Sequence, residues 1–191
     1  LPAGGLRGNA QGILPAITRG GVRVVSTNLL VREEDAAIIW RGPMISGTIQ
    51  QFWSEVLWGR LDLLLVDLPP GTADAALSVA QNLPLNGVIL VTSPQQLAAL
   101  VVRKALHMLQ ELGIPVIGVV ENFSYFVCPE SGIKHEIFGA SHAQEIAENA
   151  GVELLARLPI DPLITGAGDN GQIENVRLTE LNGLAERLLQ A

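Results

Sequence analysis

The sequence predicts an α/β domain with three layers, in which a mostly parallel sheet lies between helices on both faces. Three observations predict this fold. Nearly continuous apolar runs at residues 61–68, 87–93 and 115–121 are typical of strands covered on both faces. Segments with apolar residues at helical spacing separate these runs. Hydrophobic residues make up 48% of the 191 residues and charged residues only 16%, which is enough apolar material for one full core.

The first half of the chain contains two predicted strands and one helix. The first twenty residues, rich in Gly and Ala, are expected to be a loop or only partly ordered. β-branched residues predict a strand at 22–26, and the apolar run predicts another at 61–68. A helix between them is predicted from one apolar face, made of Ile45, Ile49, Phe52, Trp53, Val56 and Leu57.

The second half continues the alternation of strands and helices. Strands are predicted at 87–93, 115–121 and 152–158. A long helix with apolar residues from Leu97 to Leu112 should end at Gly113, and further helices are predicted over 140–149 and 178–189. Repeated strand–helix–strand order favours right-handed crossovers and a sheet between helices. We therefore expect one domain over residues 1–191, incomplete for the reason given below.

Composition and charge exclude several classes of protein. Lys and Arg number 12 against 19 Asp and Glu, a net charge of -7, so nucleic acid is not expected as a main partner. The one cysteine, Cys128, excludes an internal disulfide. No apolar run approaches the roughly 20 residues that span a bilayer, and no basic-then-apolar leader is present. The sequence therefore predicts a cytoplasmic protein without a membrane partner.

The stretch LDLLLVDLPPGTAD, residues 61–74, is the motif most suggestive of chemistry. Asp67 follows the most hydrophobic run, and ligands of parallel α/β sheets bind beyond the carboxyl ends of the strands. A carboxylate there suits Mg²⁺ beside nucleotide phosphates. The turn through Pro70 and Gly71 can bring a backbone N–H close to a γ-phosphate. The alternative is that Asp67 only ends a strand.

The chain resembles the Mrp/ApbC family of iron–sulfur carrier ATPases, relatives of MinD with a P-loop NTPase fold, in three motifs. These are VDLPPGTAD, the upstream WRGPMISGTIQQFW and the downstream GVVENFSYFVCPESG. The likeness runs from about residue 21 to residue 171, with the motifs in the order of the family.

The resemblance implies roles for six residues in binding ATP and Mg²⁺. Asp67 is similar to the Mg²⁺-associated acid and is the candidate catalytic residue, while Pro70 and Gly71 are similar to the switch that senses the γ-phosphate. Asn122 matches the asparagine that hydrogen-bonds adenine, a base edge that an amide can both donate to and accept from. Pro159 and Asp161 match the loop that packs against the base. Asn122 as a simple turn cap and Pro159 as ordinary loop residue remain alternatives.

The first departure from the family is that no glycine loop followed by Lys and then Ser or Thr occurs in the sequence. The clusters at Gly4-Gly5 and Gly20-Gly21 lack a following Lys. Without that loop there is no backbone cradle for the α- and β-phosphates and no lysine for the γ-phosphate. We expect a domain truncated upstream, or one that takes a replacement strand from elsewhere.

The second departure concerns the cluster ligands. The family presents a CxxC pair across a dimer, and here the residues are Cys128-Pro129-Glu130-Ser131. Ser131 replaces the second thiol, and a serine oxygen is a poor ligand for soft iron. Cys128 is therefore the candidate metal ligand, with His135 as a possible addition. The alternative is a thiol that holds no cluster.

Two functions follow from the resemblance. The first is an ATP-dependent iron–sulfur carrier that acts as a homodimer and delivers clusters to apo-proteins. The alternative is a nucleotide-deficient interaction or dimerisation module on the same fold. A membrane-positioning ATPase is disfavoured, because the last helical segment contains Glu180 and Glu186 rather than a basic face.

Overall fold

The structure is a computed structural model that describes residues 6–29, 42–69 and 74–189. The chain divides into two compact units, and each is described by itself. Unit 1 contains Leu1–Pro69 with Asp74–Leu83, and unit 2 contains Pro70–Ala73 with Pro84–Ala191. The organisation as one incomplete domain stays a prediction.

Unit 1 combines two short hairpins with two helices. The first hairpin pairs β1 with β2 and the second pairs β3 with β4, both antiparallel. The elements are β1 (Arg7–Asn9), β2 (Gly12–Leu14), β3 (Ala16–Ile17), β4 (Arg23–Val24), a 3₁₀ turn (Thr27–Leu29), α1 (Gly42–Ser54) and α2 (Asp74–Asn82).

Backbone hydrogen bonds join β2 to the end of α1. The amide of Ile13 donates to the carbonyl of Glu55, and the amide of Leu57 donates back to the carbonyl of Ile13, both at 2.8 Å. Arg23 joins the second hairpin to the loop after α1, since its Nη1 donates to the carbonyls of Trp58 at 2.6 Å and Arg60 at 2.7 Å. These hydrogen bonds join both hairpins to the residues that follow α1.

The expected strand at 61–68 is wrong in this structure. Residues 61–69 form no strand, and Leu65 is 71% exposed. A strand needs a hydrogen-bonded neighbour, and an apolar run by itself supplies none. The strand at 22–26 shrinks to Arg23–Val24 and is antiparallel, and the loop expected over the first twenty residues instead contains β1, β2 and β3.

Unit 2 is a four-stranded mixed sheet with helices. Strand β6 is central: it pairs in parallel with β5 and β8 and, at its far end, antiparallel with β7. The elements are β5 (Val88–Thr92), α3 (Gln96–Glu111), β6 (Val116–Val127), β7 (Lys134–His135), α4 (Ala143–Ala150), β8 (Glu153–Pro159), α5 (Pro162–Asp169) and α6 (Leu184–Leu188).

The core of unit 2 lies where α3 and α4 pack on the sheet. Its buried members are Leu90, Ala99, Val102, Leu106, Leu109, Val119, Ala143, Ile146 and Ala147. Both helices end at a glycine with positive φ, Gly113 at 68° and Gly151 at 66°. In each case the next amide reaches back to the last turn, from Ile114 to the carbonyl of Leu109 and from Val152 to that of Ala147. These caps turn the chain directly into β6 and β8.

The α/β fold expected from the sequence is confirmed. The expected strands at 87–93 and 152–158 and the helices at 97–112 and 140–149 are present with small shifts at their ends. The strand at 115–121 extends six residues further, to Val127. The single helix expected over 178–189 is wrong: a 3₁₀ turn at Thr179–Leu181 and the short α6 replace it, because Gly183 takes a φ of 81° between them.

Candidate functional site

A bulge interrupts β6 where its parallel pairing ends. Glu121 pairs with Arg157 of β8 and the next pair is Tyr125 with Pro159, so three residues of β6 lie opposite one residue of β8. Phe123, in the bulge, has a φ of 56°, the left-handed region that bulky residues rarely adopt. The bulge places Asn122 at the carboxyl end of the parallel sheet, the edge where ligands of such sheets bind.

Asn122 uses one side of its amide to hold the bulge. Its Oδ1 accepts a hydrogen bond from the amide of Phe123 at 2.9 Å, and the side chain is partly buried. The local cap considered in the sequence is therefore present. Within the part of the chain that the structure describes, no hydrogen-bond partner is found for Nδ2 of Asn122. An amide NH₂ group can donate to a nitrogen acceptor of a purine.

The loop after β8 lies beside this bulge. The amide of Ile160 donates to the carbonyl of Tyr125 at 2.7 Å, which continues the pairing of Tyr125 with Pro159. Asp161 then caps α5, its Oδ1 accepting from the amide of Leu163 at 2.8 Å with Pro162 in the first turn. Asn122, Pro159 and Asp161 thus lie at one edge of the sheet, and their role in binding adenine stays a prediction.

Cys128 directly follows the C-terminal end of β6, in a tight hairpin. The amide of Cys128 donates to the carbonyl of Ile133 at 2.9 Å, and the amide of Gly132 donates to the carbonyl of Cys128 at 2.8 Å. Gly132 has a φ of 70°, which a residue with a side chain would adopt only with strain. The thiol forms no disulfide and is partly buried at the tip of this turn. We call residues 128–133 the Cys128 hairpin.

The Cys128 hairpin stabilises a thiolate. A hydrogen bond from the Ser131 hydroxyl, followed by the backbone amides of Ser131 and Glu130, lowers the pKa of Cys128 below its ordinary value. Thiolates, rather than thiols, bind metals and react with electrophiles. The serine that replaces the second thiol therefore acts on the first one, as a hydrogen-bond donor.

The described residues supply few further metal ligands near Cys128. His135, considered as an added ligand, lies on β7 opposite Phe126 and is exposed. Across residues 6–29, 42–69 and 74–189, no group of three or more His, Cys, Asp or Glu side chains is arranged to hold a metal ion. Cys128 is the candidate ligand that remains on this hairpin.

Beneath the bulge lies a buried polar network that the sequence did not reveal. The carboxylate of Glu121 is fully buried, and it accepts from the hydroxyl of Ser124, from Ser141 Oγ at 2.9 Å and from Arg157 Nε at 3.2 Å. Arg157 also donates from Nη2 to Glu136 at 3.2 Å. The one sequence signal was an ionisable residue at the end of an apolar strand; its partners follow only from the register of β6 with β8.

Three predicted site residues remain to be described. Asp67 is exposed in unit 1, in the segment without regular structure that ends at Pro69. Pro70 and Gly71 lie outside the described residues. No helix in the described part of the chain is both long enough and apolar enough to cross a bilayer.

Comparison with known proteins connects these features to one family. The family model described as "ParA: NUBPL iron-transfer P-loop NTPase" matches residues 4–189. Proteins named iron–sulfur cluster carrier protein are similar in Methanocaldococcus jannaschii, at 43% identity over 84% of this chain and 56% of that protein, and in Aquifex aeolicus, at 41% over 85% and 44%. The chain spans about half the length of the curated relatives it matches.

A solved structure supports the same connection. A nucleotide-binding protein from Archaeoglobus fulgidus, solved in complex with ADP, aligns with a TM-score of 0.79 and 35% identity over 94% of this chain and 69% of its own. The resemblance to iron–sulfur carrier ATPases inferred from the motifs is confirmed. The chain belongs to the ParA family of P-loop NTPases, in the group described as NUBPL iron-transfer P-loop NTPase.

Proposed function

We propose that this chain is part of an ATP-dependent iron–sulfur cluster carrier, and that it provides the adenine contacts and one cluster ligand. The observation that supports this most is the geometry of β6. That single strand carries Asn122 at the end of its parallel half and Cys128 directly after its antiparallel half. Family membership and the relatives named as carriers support the same function.

The residues at the bulge suit the base end of a nucleotide. Asn122 would donate from Nδ2 to the adenine ring, and the loop through Pro159 and Asp161 would pack against the base. Asp67 would act at Mg²⁺, with Pro70 and Gly71 near the γ-phosphate, as the family resemblance implies. Bound ATP supplies the free energy of hydrolysis; the residues of this chain bind and orient its base.

The cluster is the cargo of the proposed carrier. Cys128 would hold iron through its thiolate, and the lowered pKa of Cys128 increases the fraction of this ligating form. One chain offers one thiolate in this hairpin, so two copies in a homodimer would offer two. A cluster held by fewer thiolates than usual would be transferred readily to an apo-protein that offers more. A homodimer, apo iron–sulfur proteins as recipients and a cytoplasmic location are parts of this proposal.

Nucleotide binding tests the first half of the proposal. A fluorescent adenine nucleotide is titrated into the full chain and into Asn122→Ala, with the exposed helical Asn149→Ala as the matched control. We expect Asn122→Ala to lose about tenfold in affinity, the value of one well-placed hydrogen bond, and Asn149→Ala to bind like the original. No binding by the original chain, or equal loss in both variants, would contradict the assignment.

Anaerobic reconstitution with iron and sulfide tests the second half. The original chain is expected to retain iron with visible cluster absorbance, and Cys128→Ala to retain none above a protein-free blank. Iron retained equally by both would show that Cys128 is not a ligand.

The alternative to the carrier is an interaction or dimerisation module without nucleotide chemistry. The sequence holds no glycine loop followed by Lys and Ser or Thr within its 191 residues. If that function is correct, the chain dimerises without adenine nucleotide, and neither nucleotide nor iron changes its sedimentation. A dimer whose population responds to ATP would instead support the carrier.

A further inference from the structure

We propose that Glu121 and Arg157 are positioning residues that hold the Asn122 bulge and the Cys128 hairpin in one arrangement. Neither residue touches nucleotide or cluster in this proposal. They act through the segments that carry Asn122 and Cys128. The inference deepens the proposed function and rests on it for its consequence, while the arrangement itself can be measured without ATP or iron.

Glu121 joins the bulge to the start of α4. Its two carboxylate oxygens accept from Ser124, which ends the bulge, and from Ser141, which precedes α4. Ser141 Oγ also accepts from the amide of Ala143 at 3.3 Å, so the same serine helps to start the helix. One carboxylate with no solvent exposure therefore fixes both ends of the excursion that the chain makes from β6 through β7 to α4.

Arg157 joins the same carboxylate to the chain that leaves the Cys128 hairpin through β7. Its Nε lies 3.2 Å from Glu121 and 2.7 Å from Ser124 Oγ, and its Nη2 donates to Glu136, directly after β7. Ser124 thus accepts from Arg157 and donates to Glu121, which closes a ring of three side chains. The planar guanidinium donates to Glu121 and Ser124 from Nε and to Glu136 from Nη2, an arrangement that a lysine ammonium reproduces less well.

Stability alone is a poor explanation for such a network. A buried ion pair often contributes no more to stability than apolar side chains of the same volume, because both charges lose their hydration. The network does offer geometry: it ties together three segments that the sequence separates by up to 36 residues. β7 has two residues, too few for a stable hairpin by itself. The Cys128 hairpin therefore depends on its attachment to Arg157 and Glu121.

Hydrogen exchange on the full chain, free of nucleotide and metal, tests this role. Glu121→Gln keeps the shape of the side chain and removes its charge. Arg157→Met keeps the stem of a side chain that is 38% exposed and so should fold even if the first variant does not. We expect the peptide spanning residues 122–136 to exchange about tenfold faster in both, while amides of β5 keep their protection. Arg157→Lys, which retains a cation, should recover part of the difference.

Two controls separate positioning from general loosening. Glu153 lies on β8, like Arg157, and forms an exposed ion pair with Arg187 of α6. Glu153→Gln breaks this pair and should leave the exchange of residues 122–136 unchanged. Val119→Ala opens a gap in the core and should speed exchange in β5 and the hairpin alike. If the Glu121 and Arg157 variants behave like either control, the positioning role is overturned.

A nucleotide titration then relates the arrangement to function. If Glu121 acts through Asn122, Glu121→Gln should weaken adenine nucleotide binding, and adding Asn122→Ala to it should cost little more. Full additivity of the two losses would overturn the link between them. If the original chain binds no nucleotide, the proposed function fails in this part, but the exchange experiment still decides whether the network positions the hairpin.

Discussion

Ser131 and Cys128 show how one oxygen in place of sulfur changes a hairpin. The hydroxyl of Ser131 stabilises the thiolate of Cys128 by hydrogen bonding, and it lowers the pKa of Cys128 as the largest of the causes. A second thiol would instead be a second ligand for the same metal. The residue that weakens the hairpin as a metal site therefore strengthens its single thiol as a nucleophile and ligand.

Ser131→Ala should raise the pKa of Cys128. The thiolate loses its first hydrogen bond, so the same fraction of thiolate is reached only at higher pH. Because Cys128 is the one cysteine of the chain, the rate of alkylation by iodoacetamide against pH reports this thiol alone in metal-free protein. Ser54→Ala, in unit 1, is the control and should not move the profile. A profile unchanged by Ser131→Ala would contradict the assigned cause.

Ser131→Cys should increase the iron retained after anaerobic reconstitution. It restores two thiols at the CxxC spacing, and a chelating pair of soft ligands holds iron better than one thiolate. Iron per chain is measured after desalting, with Ser131→Ala as the matched control at the same position. Equal iron in the two variants would show that the hairpin is not the site of binding.

At position 123, glycine should give a more stable protein than alanine, which is the reverse of the usual order in a strand. The φ of 56° at Phe123 costs a residue with a side chain about 1 kcal/mol that glycine does not pay. Phe123→Gly and Phe123→Ala both lose the edge contact with Phe138, whose ring centroid lies 6.4 Å away. The glycine variant should therefore be the more stable, by about 1 kcal/mol in urea unfolding. At Val119, which pairs with Leu90 of β5 and Leu154 of β8, alanine should be favoured instead.

At the scale of elements, Gly118 shows how closely β6 and β8 approach. A Cβ at Gly118 would lie 2.5 Å from Leu155 Cγ and 2.7 Å from the carbonyl oxygen of Glu153. The second contact is to backbone, so the strands themselves would have to separate.

Gly118→Ala should therefore destabilise the protein by about 1–3 kcal/mol, as overpacking of a core does. Gly166→Ala in α5 is the opposite case, because a Cβ there meets nothing within 4 Å and alanine favours a helix. It should gain roughly 0.5–1 kcal/mol. Both values come from chemical unfolding monitored by circular dichroism. A neutral Gly118→Ala would mean that β6 and β8 are less tightly paired than described.

The elements also show what sequence patterns predict and what they miss. Helical spacing predicted α3 and α4, and Gly113 predicted the end of α3, because those signals are local. The apolar run at 61–68 predicted a strand that is absent, because pairing depends on a neighbour that composition does not supply. In the candidate site, Cys128 is predicted as a metal ligand from its motif, and this role stays a prediction. Arg157 was missed, since its meeting with Glu121 depends on strand register across 36 residues.

At the scale of the whole molecule, the two units differ in how much apolar surface they bury. Among the described residues, the buried apolar side chains of unit 1 are Val56, Ala75, Ala76 and Val79, and unit 2 contributes the other eleven. Burial of apolar surface is the main stabilising contribution in a fold, so unit 2 should be the more stable of the two.

Amide exchange should accordingly be fastest in β1 to β4 and slowest in β5, β6 and α3. Local opening needs little free energy where few apolar groups are buried. The measurement is hydrogen exchange followed by peptide mass spectrometry at increasing urea, with loss of protection in unit 1 expected first. Simultaneous loss in both units would show that they unfold as one cooperative body, and would support the single domain expected from the sequence.

The outer side of β5 determines how this chain behaves at high concentration. Among the described residues of unit 2, β5 is hydrogen-bonded to β6 on one side only, and Val91 on it is 60% exposed. A strand edge with an exposed β-branched side chain can pair with any extended segment it meets, including another copy. The polypeptide of these 191 residues is therefore expected to aggregate as it is concentrated, and a lysine at position 91 to keep it in solution.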